Sequence, residues 1–300
     1  MSAIVPRLAD VALVDPRQTG PSRPHGVLWP AAGQDIYQVT RQEQIPEPVA
    51  QVVRHLWQVS WRRPAGASFA SSVLTNPLPH LTFEDAEGGR LHGHAVPAAL
   101  LHGLVSSVFA VQLPPAGRVT GVAFHPGALT ALAGVAMAEL TDRVVPAVDV
   151  FGGGVLDLAD AVLPEGEESV RRALTLDYLG AVLEPRLEQV TQDPAYAVVR
   201  AAEAVMRARD QVSLESVARE VNVSPRTLQR TFARYVGASP LWVLRRYRLQ
   251  DAAAALDAGA GQDLAGLAAE LGFADQAHFT RAFTAVIGVP PSRYRAGQRP

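Results

Sequence analysis

Alternating apolar and polar side chains mark the first 124 residues as β-rich. The clearest run covers residues 53–62, where one side carries Val53, His55, Trp57, Val59 and Trp61 and the other carries Arg54, Gln58, Ser60 and Arg62. This alternation is typical of a strand with one buried face. Turn-forming Asn-Pro, Gly-Gly and Pro-Pro pairs bound the further runs. We predict additional strands at 68–74, 80–84, 90–95, 106–113 and 118–124.

After residue 125 the apolar period lengthens to that of a helix, which predicts helices at 128–136, 155–162 and 167–190. A break and a new helix start follow, since Asp193 can cap a helix and Pro194 suits its first position. We therefore predict an α+β chain. Residues 1–190 form a β-rich N-terminal domain with flanking helices, and residues 193–300 form an all-α C-terminal domain.

An internal repeat divides the C-terminal domain. LESVAREVNV from Leu214 matches LAGLAAELGF from Leu264 at an offset of 50 residues. One inserted residue changes the offset to 51 and pairs Arg230 with Arg281, Phe232 with Phe283 and Gly237 with Gly288. Each copy reads as a short apolar helix, a tight turn and a second helix opened by Ser224 or Asp275. We predict two helix-turn-helix units joined by a helix over residues 241–257, about 25 Å long.

The second helix of each copy has one apolar face and one free face. In the first copy the free side carries Arg226, Thr227, Gln229 and Arg230. Guanidinium and amide groups can make bidentate contacts with guanine and adenine edges. In the second copy it carries Gln276, Ala277, Thr280 and Arg281. For either helix alone, this polar face could simply be the solvent-exposed side of an amphipathic helix. Two units joined by a long helix, however, fit successive major grooves about 34 Å apart.

These stretches resemble a known family. SPRTLQRTFARYVGASPLWVLRRYRL and LGFADQAHFTRAFTAVIGVPPSRYR are similar to the DNA-binding domain of AraC/XylS regulators over residues 193–297. The resemblance implies a sequence-specific regulator of transcription, an activator working with RNA polymerase on double-stranded DNA in a bacterial cytoplasm. It places Arg226, Gln229 and Arg230 at groove-facing positions in the first unit. Many relatives carry a polar residue where Ala277 stands, so we expect the first unit to dominate base reading.

The N-terminal half carries a second resemblance. HGVLWP, NPLPHLTFE and GRVTGVAFHPGAL are similar to an uncharacterised sensor-like domain that precedes this DNA-binding domain in a subset of such regulators. The resemblance implies binding of a small-molecule effector, formation of a homodimer, or both. We predict an aromatic effector pocket lined by Trp29, Trp57, Trp61 and Phe69. Two alternatives stay open: an effector-independent regulator whose N-terminal domain serves dimerisation or partner-protein binding, and, with less support, a fused unrecognised enzyme.

The amino-acid composition excludes several kinds of catalytic and metal-binding site. All 27 basic residues are arginine, and the chain contains no cysteine. Phosphate-loop lysines, Schiff bases, thiolate nucleophiles and cysteine-ligated zinc are thereby excluded, and we predict no enzyme. Residues 193–300 carry 14 Arg against 10 acidic residues, whereas residues 1–192 carry 13 against 19. A basic C-terminal part suits a phosphate-backbone binder. The chain lacks a signal-peptide pattern and a run of about 18 apolar residues, so we expect a cytoplasmic protein without a membrane partner.

Histidines are the remaining candidate chemistry. His92 and His94 are predicted to lie on one side of a strand, as in the metal-binding pair of cupins, with His80 and His125 able to join them. The cupin pattern requires a carboxylate soon after the pair, and residues 95–100 supply none. We therefore expect structural histidines, no metal and no cofactor.

Overall fold

A computed structural model describes residues 28, 37–63, 69–208, 213–259 and 263–297. In this part of the chain the strands precede most of the helices. The strands are β1 Tyr37–Gln42, β2 Val53–Arg62, β3 Phe69–Val73, β4 His80–Ala86, β5 Arg90–Leu91, β6 His94–Ala95, β7 Ala98–His102, β8 Phe109–Leu113, β9 Ala116–Phe124 and β10 Val144–Pro146. The predicted division into a β-rich N-terminal region and a helical C-terminal region is confirmed.

The helices lie around and after this sheet. In the N-terminal region they are α1 Ala128–Ala133, α2 Val148–Phe151, α3 Gly154–Val162, α4 Glu168–Leu183 and α5 Leu187–Gln192. In the C-terminal region they are α6 Pro194–Ala208, α7 Leu214–Glu220, α8 Pro225–Tyr235, α9 Pro240–Asp257, α10 Leu264–Glu270, α11 Gln276–Ile287 and α12 Pro291–Arg295. Oδ1 of Asp193 accepts hydrogen bonds from the first-turn amides of Ala195 and Tyr196 in α6, as the sequence predicts.

Two of the predicted elements are wrong in detail. The strand expected at 90–95 is a tight hairpin of β5 and β6, because His92 and Gly93 both have positive φ and reverse the chain. This turn separates the two histidines that were expected to share one side of a strand. Nε2 of His94 lies 3.0 Å from the carbonyl oxygen of Val144. The helix expected at 167–190 is interrupted by a 3₁₀ turn at Glu184–Arg186, since Pro185 cannot continue an α-helix.

A six-stranded antiparallel sheet organises the N-terminal region, with strand order β1-β2-β9-β4-β7-β10. One face of this sheet packs on the helices through Leu56, Leu81, Phe83, Leu101 and Val122. The opposite face, called the polar face below, carries His55, Trp57, Trp61, His80, Glu84 and His102. Strand β2 is therefore covered on both sides over much of its length, whereas its alternation predicts a single buried face.

The hydrophobic core does not stop at the end of the N-terminal region. The cluster that contains Leu56 and Val122 continues through Val199 of α6, Phe232 of α8 and Tyr247 of α9. A separate cluster forms around α10, α11 and the end of α9, and it takes in Leu28 and Leu74 from the N-terminal region. Both helix-turn-helix units are thus packed against the β-rich part of the chain.

Candidate nucleic-acid interface

The first helix-turn-helix unit consists of α7 and α8. Ser213 and Ser216 form a capping box at the start of α7. Asn222, with φ of 54°, makes the tight turn between the helices. The Ser224 side chain then caps α8 by accepting a hydrogen bond from the Thr227 amide at 3.1 Å. These caps fix where α8 begins and hence which of its residues face outward.

The outward face of α8 is polar and basic. Arg226, Gln229 and Arg230 are exposed, whereas Leu228 and Phe232 on the other side are completely buried. Thr227 is half-buried, and its hydroxyl lies 2.9 Å from that of Ser224. Thr227 therefore contributes to the cap of the helix, while the two arginines and the glutamine present donor groups on the exposed face.

The second unit repeats this plan in α10 and α11. Asp263 caps α10, and Asp275 caps α11 by accepting from the His278 amide at 2.6 Å. Phe279 and Phe283 are fully buried and belong to a run of aromatic contacts that ends at Tyr294. The remaining predicted positions face outward, with Thr280 half-buried and Gln276, Ala277 and Arg281 exposed.

The helix between the units, α9, is 18 residues long, or roughly 27 Å at 1.5 Å per residue. Arg246 from this helix is only 2% exposed and points into the N-terminal region. Its Nε donates to the Thr75 carbonyl at 2.9 Å, and its Nη2 donates to the carbonyls of Val105 and Ser107 at 2.7 and 2.6 Å. One helical turn later, Gln250 donates to the Leu74 carbonyl at 2.7 Å. These hydrogen bonds attach α9, the helix that joins the two units, to the N-terminal region.

A buried network of charged side chains joins the same parts of the chain. Nη1 of Arg200 donates to Nδ1 of His125 at 2.6 Å and to Oε2 of Glu203 at 3.0 Å. The Tyr247 hydroxyl donates to Oε1 of Glu203 at 3.1 Å. Burial, with the charge of Arg200, lowers the pKa of His125 to about 4. Burial alone would raise the pKa of Glu203, but the neighbouring His125 and the charge of Arg200 bring it below its usual range.

The first unit also touches the N-terminal region closely at its end. Gly237, at φ of 76°, follows α8 so near to the 3₁₀ turn at Met137–Leu140 that a Cβ there would lie 2.7 Å from the backbone nitrogen of Ala138. The Thr130 hydroxyl donates to the Tyr235 carbonyl at 3.1 Å. Any side chain larger than that of glycine at position 237 would push the unit away from this surface.

Comparison with known proteins identifies these helices. Residues 217–297 match a family model described as a helix-turn-helix domain. The C-terminal domain of AraT, a response regulator from Geobacillus stearothermophilus, is 31% identical; the match covers 34% of this chain and 86% of that one, with a TM-score of 0.31.

The chain belongs to the AraC/XylS family. It is a DNA-binding regulator of transcription. A probable AraC family regulator from Rhodopseudomonas palustris is 28% identical over 34% of this chain and 98% of that one, with a TM-score of 0.31. ToxT from Vibrio cholerae with a bound unsaturated fatty acid matches 88% of this chain and 97% of its own at 10% identity and a TM-score of 0.40. A likeness of that size carries no conclusion about a ligand. No curated protein matches the chain.

The N-terminal region of this AraC/XylS regulator matches a different model. Residues 42–146 match a domain of unknown function, DUF6597. Of the predicted effector residues, Trp29 lies outside the described residues, and Phe69 is the first residue of β3. Trp57 and Trp61 both lie on the polar face, where Nε1 of Trp57 donates to Nδ1 of His80 at 3.1 Å. The two tryptophans thus share one face of the sheet with the histidines.

Most of the residues that join the two regions of this AraC/XylS protein have no recognisable pattern in its sequence. Arg246 lies in the arginine-rich run RRYR, which suggests phosphate contacts rather than burial. Three of its four acceptors are backbone carbonyls and the fourth is the Thr75 hydroxyl, and backbone carbonyls have no signature in a sequence. Arg200 and Glu203, three residues apart on one side of α6, are a detectable signal, since a charged pair inside an apolar helix face indicates a buried ion pair.

Proposed function

We propose that this regulator reads DNA through α8 and α11 and that the N-terminal region controls how α9 holds the two helices. The observation that carries the proposal is the burial of Arg246 against the carbonyls of Thr75, Val105 and Ser107. Because α9 connects the two units, any change in residues 75 or 105–107 acts on the spacing of the two recognition helices. We assign residues 1–190 to control and dimerisation and residues 193–300 to DNA binding.

The first unit supplies most of the base reading in this proposal. Arg226, Gln229 and Arg230 are exposed together on α8, and arginine and glutamine are side chains that recognise guanine and adenine. In α11 the corresponding surface consists of Gln276, Ala277, Thr280 and Arg281. Two of these side chains, those of Ala277 and Thr280, are short and offer fewer hydrogen-bond donors than arginine or glutamine. A selection of binding sites from random DNA tests this assignment. We expect the half contacted by α8 to be the better defined, and an equally defined second half would contradict it.

The polar face is the proposed site for a small-molecule effector. Trp57 is half-buried and Trp61 is buried on this face, and His80 and His102 lie beside each other on neighbouring strands. The test is a screen of full-length protein for a rise in melting temperature, since a ligand that binds only the native state must raise it. Tryptophan fluorescence is the second measurement. In a Trp242→Phe variant, which lacks the tryptophan of α9, any change in tryptophan fluorescence comes from the N-terminal region. If a broad library gives no shift, the N-terminal region serves dimerisation or a partner protein instead.

The full chain is proposed to act as a homodimer and an activator that works with RNA polymerase in the cytoplasm of a bacterium. Tethering two DNA-binding domains raises avidity by roughly 10²–10⁴ without new base contacts. Each protomer would occupy one element of about 17–20 base pairs, with its two major-groove visits one helical turn apart. Sedimentation of the full chain with and without DNA tests the dimer, and a strictly monomeric species at micromolar concentration in both cases would contradict it.

No catalytic activity is part of this proposal. The absence of cysteine and lysine from the sequence removes two of the side chains that enzymes use as covalent nucleophiles, and the family consists of regulators. None of the helices in the described ranges is both long and apolar enough to span a membrane.

A further inference from the structure

Three side chains with metal-binding atoms converge at the polar face. Glu84 extends from β4 and His102 from β7, and His92 reaches them from the turn between β5 and β6. Their ligating atoms all lie within 4.8 Å of one another. Nε2 of His102 is 2.9 Å from Oε1 of Glu84, and Nε2 of His92 is 3.4 Å from Oε2. Each carboxylate oxygen therefore faces a different imidazole.

One carboxylate oxygen of this cluster makes no hydrogen bond within the part of the chain that the structure describes. Glu84 is 1% exposed, and its Oε2 accepts no hydrogen bond from any residue that the structure describes. The other oxygen, Oε1, accepts from the Thr82 hydroxyl at 2.7 Å. Leaving a buried acceptor unsatisfied is unfavourable, more so when it is charged. A cation between Oε2 and the imidazoles would satisfy it.

We propose that Glu84, His92 and His102 bind one divalent transition-metal ion of the Zn²⁺ type. Bonds of about 2.0–2.2 Å to a tetrahedral ion place ligand atoms roughly 3.3 Å apart. The distance from Nε2 of His102 to Oε1 of Glu84 is 2.9 Å, and that from Nε2 of His92 to Oε2 is 3.4 Å, so the two lie on either side of that value. Imidazole and carboxylate together favour zinc, iron, copper or nickel, whereas calcium and magnesium prefer oxygen alone.

The surroundings are those of a metal site with an open position. The Phe109 ring packs against His92 and His102, with centroid distances of 5.0 and 5.8 Å, and covers the cluster with apolar surface. An apolar shell of this kind limits solvent access to a metal. Three protein ligands leave a fourth position for water or for an oxygen donor of a small molecule. Metal binding stands independently of the proposed DNA-binding function.

The turn that carries His92 allows a clean test. His92 has φ of 50° and is followed by Gly93 at φ of 83° in a two-residue hairpin turn. Asparagine is among the residues that such a turn favours, so His92→Asn removes the imidazole while keeping the backbone. His94→Ala is the matched control, because His94 lies in the same hairpin but its Nε2 contacts the Val144 carbonyl.

The experiment titrates tag-free, full-length protein with Co²⁺ and follows the visible absorption of the bound ion, then displaces it with Zn²⁺. Melting temperatures without metal establish that each variant is folded. We expect one ion per chain for the parent and for His94→Ala. We expect His92→Asn to weaken the affinity at least about tenfold, since even an outer partner of a metal ligand contributes about 10–100-fold. His102→Gln should behave in the same way.

Two results would overturn the site. If the parent binds neither Co²⁺ nor Zn²⁺ in a saturable way at micromolar concentrations, the cluster is only a hydrogen-bonded group of histidines and a glutamate. If folded His92→Asn and His102→Gln proteins bind the ion as tightly as the parent, the metal binds elsewhere.

Discussion

Nε of Arg246 in α9 donates a hydrogen bond to the carbonyl oxygen of Thr75, 2.9 Å away, and so fixes the helix between the two DNA-reading units to the β-rich region. The guanidinium is buried, and burial lowers its pKa to about 10, which leaves it charged at neutral pH. Its planar fork of donors reaches Thr75 on one side and Val105 and Ser107 on the other. Lysine has no such fork, so even this like-charged residue would not replace the contact.

Removing the Arg246 side chain should therefore loosen the two regions from each other. Arg246→Met keeps a long apolar side chain and leaves the three carbonyl groups without their donor. Hydrogen bonds to charged groups contribute about 1.5–3 kcal/mol, so we expect a loss of at least about 2 kcal/mol in urea unfolding of the full chain. The neighbouring exposed Arg245, replaced by alanine, is the control. Equal stability of both variants would show that α9 is not held by this contact.

Phe232 and Phe283 occupy matching positions in the repeat but lie in different clusters of the core. Both are fully buried, so replacement by alanine should cost about 3–5 kcal/mol in each case. Phe232→Ala should destabilise the N-terminal region and the first unit together, while Phe283→Ala should act mainly on the second unit. Hydrogen exchange by region measures the difference. A variant that keeps its heat stability but loses DNA binding would show that the face assignment is wrong.

The internal repeat and the helical spacing of apolar residues were enough to predict both helix-turn-helix units, because this spacing and caps such as Ser224 and Asp275 are local features. The strands β1, β7 and β10 were not predicted. β7 follows the short turn that ends at Ala95, and four of its five residues are buried, so it lacks the polar alternation of a half-buried strand. Glu84 and His102 are brought together only by the register of β4 and β7. A carboxylate that precedes the histidine pair, on a strand that is not adjacent in sequence to β7, leaves no signal in the residues after His94.

Arg230 is the residue on which base recognition by α8 can be tested most directly. Arg230→Ala should weaken binding to a selected site by about 1–3 kcal/mol, because a bidentate contact to a base edge is lost. Arg219→Ala removes the same charge from an exposed position on α7 and should affect selected and random DNA alike. If Arg230→Ala also weakens both kinds of DNA equally, Arg230 contacts a phosphate.

Stability should fall as the pH decreases below about 6.5, the ordinary pKa of histidine. His125 is neutral in the folded chain because burial and Arg200, with a smaller contribution from Arg54, outweigh Glu203 and lower its pKa to about 4. Between these values the unfolded chain binds more protons than the folded one, so stability rises with pH across this window. A difference of one between the pKa values of the unfolded and folded chains corresponds to about 1.4 kcal/mol of stability. Urea midpoints of the parent and His125→Gln between pH 7.5 and 4.5 measure the effect, and an unchanged pH slope in the variant would contradict it.

Occupation of the proposed metal site should change DNA affinity, since the site adjoins the segment that holds α9. His102 ends β7, and Val105 and Ser107, which accept from Arg246, follow within five residues. An ion that draws His102 toward Glu84 and His92 acts on this segment first.

Thermodynamic linkage makes the effect measurable in two ways. The factor by which Zn²⁺ changes the affinity for a selected DNA site must equal the factor by which that DNA changes the affinity for Zn²⁺. Typical couplings are about 5–150-fold. Titrating DNA with and without Zn²⁺, and Zn²⁺ with and without DNA, measures both factors. His92→Asn should shift the metal's effect to higher Zn²⁺ concentrations by weakening metal binding, and Arg246→Met should abolish the effect while Zn²⁺ still binds. If the parent binds Zn²⁺ and its DNA affinity stays the same, the ion stabilises the N-terminal region without regulating DNA binding.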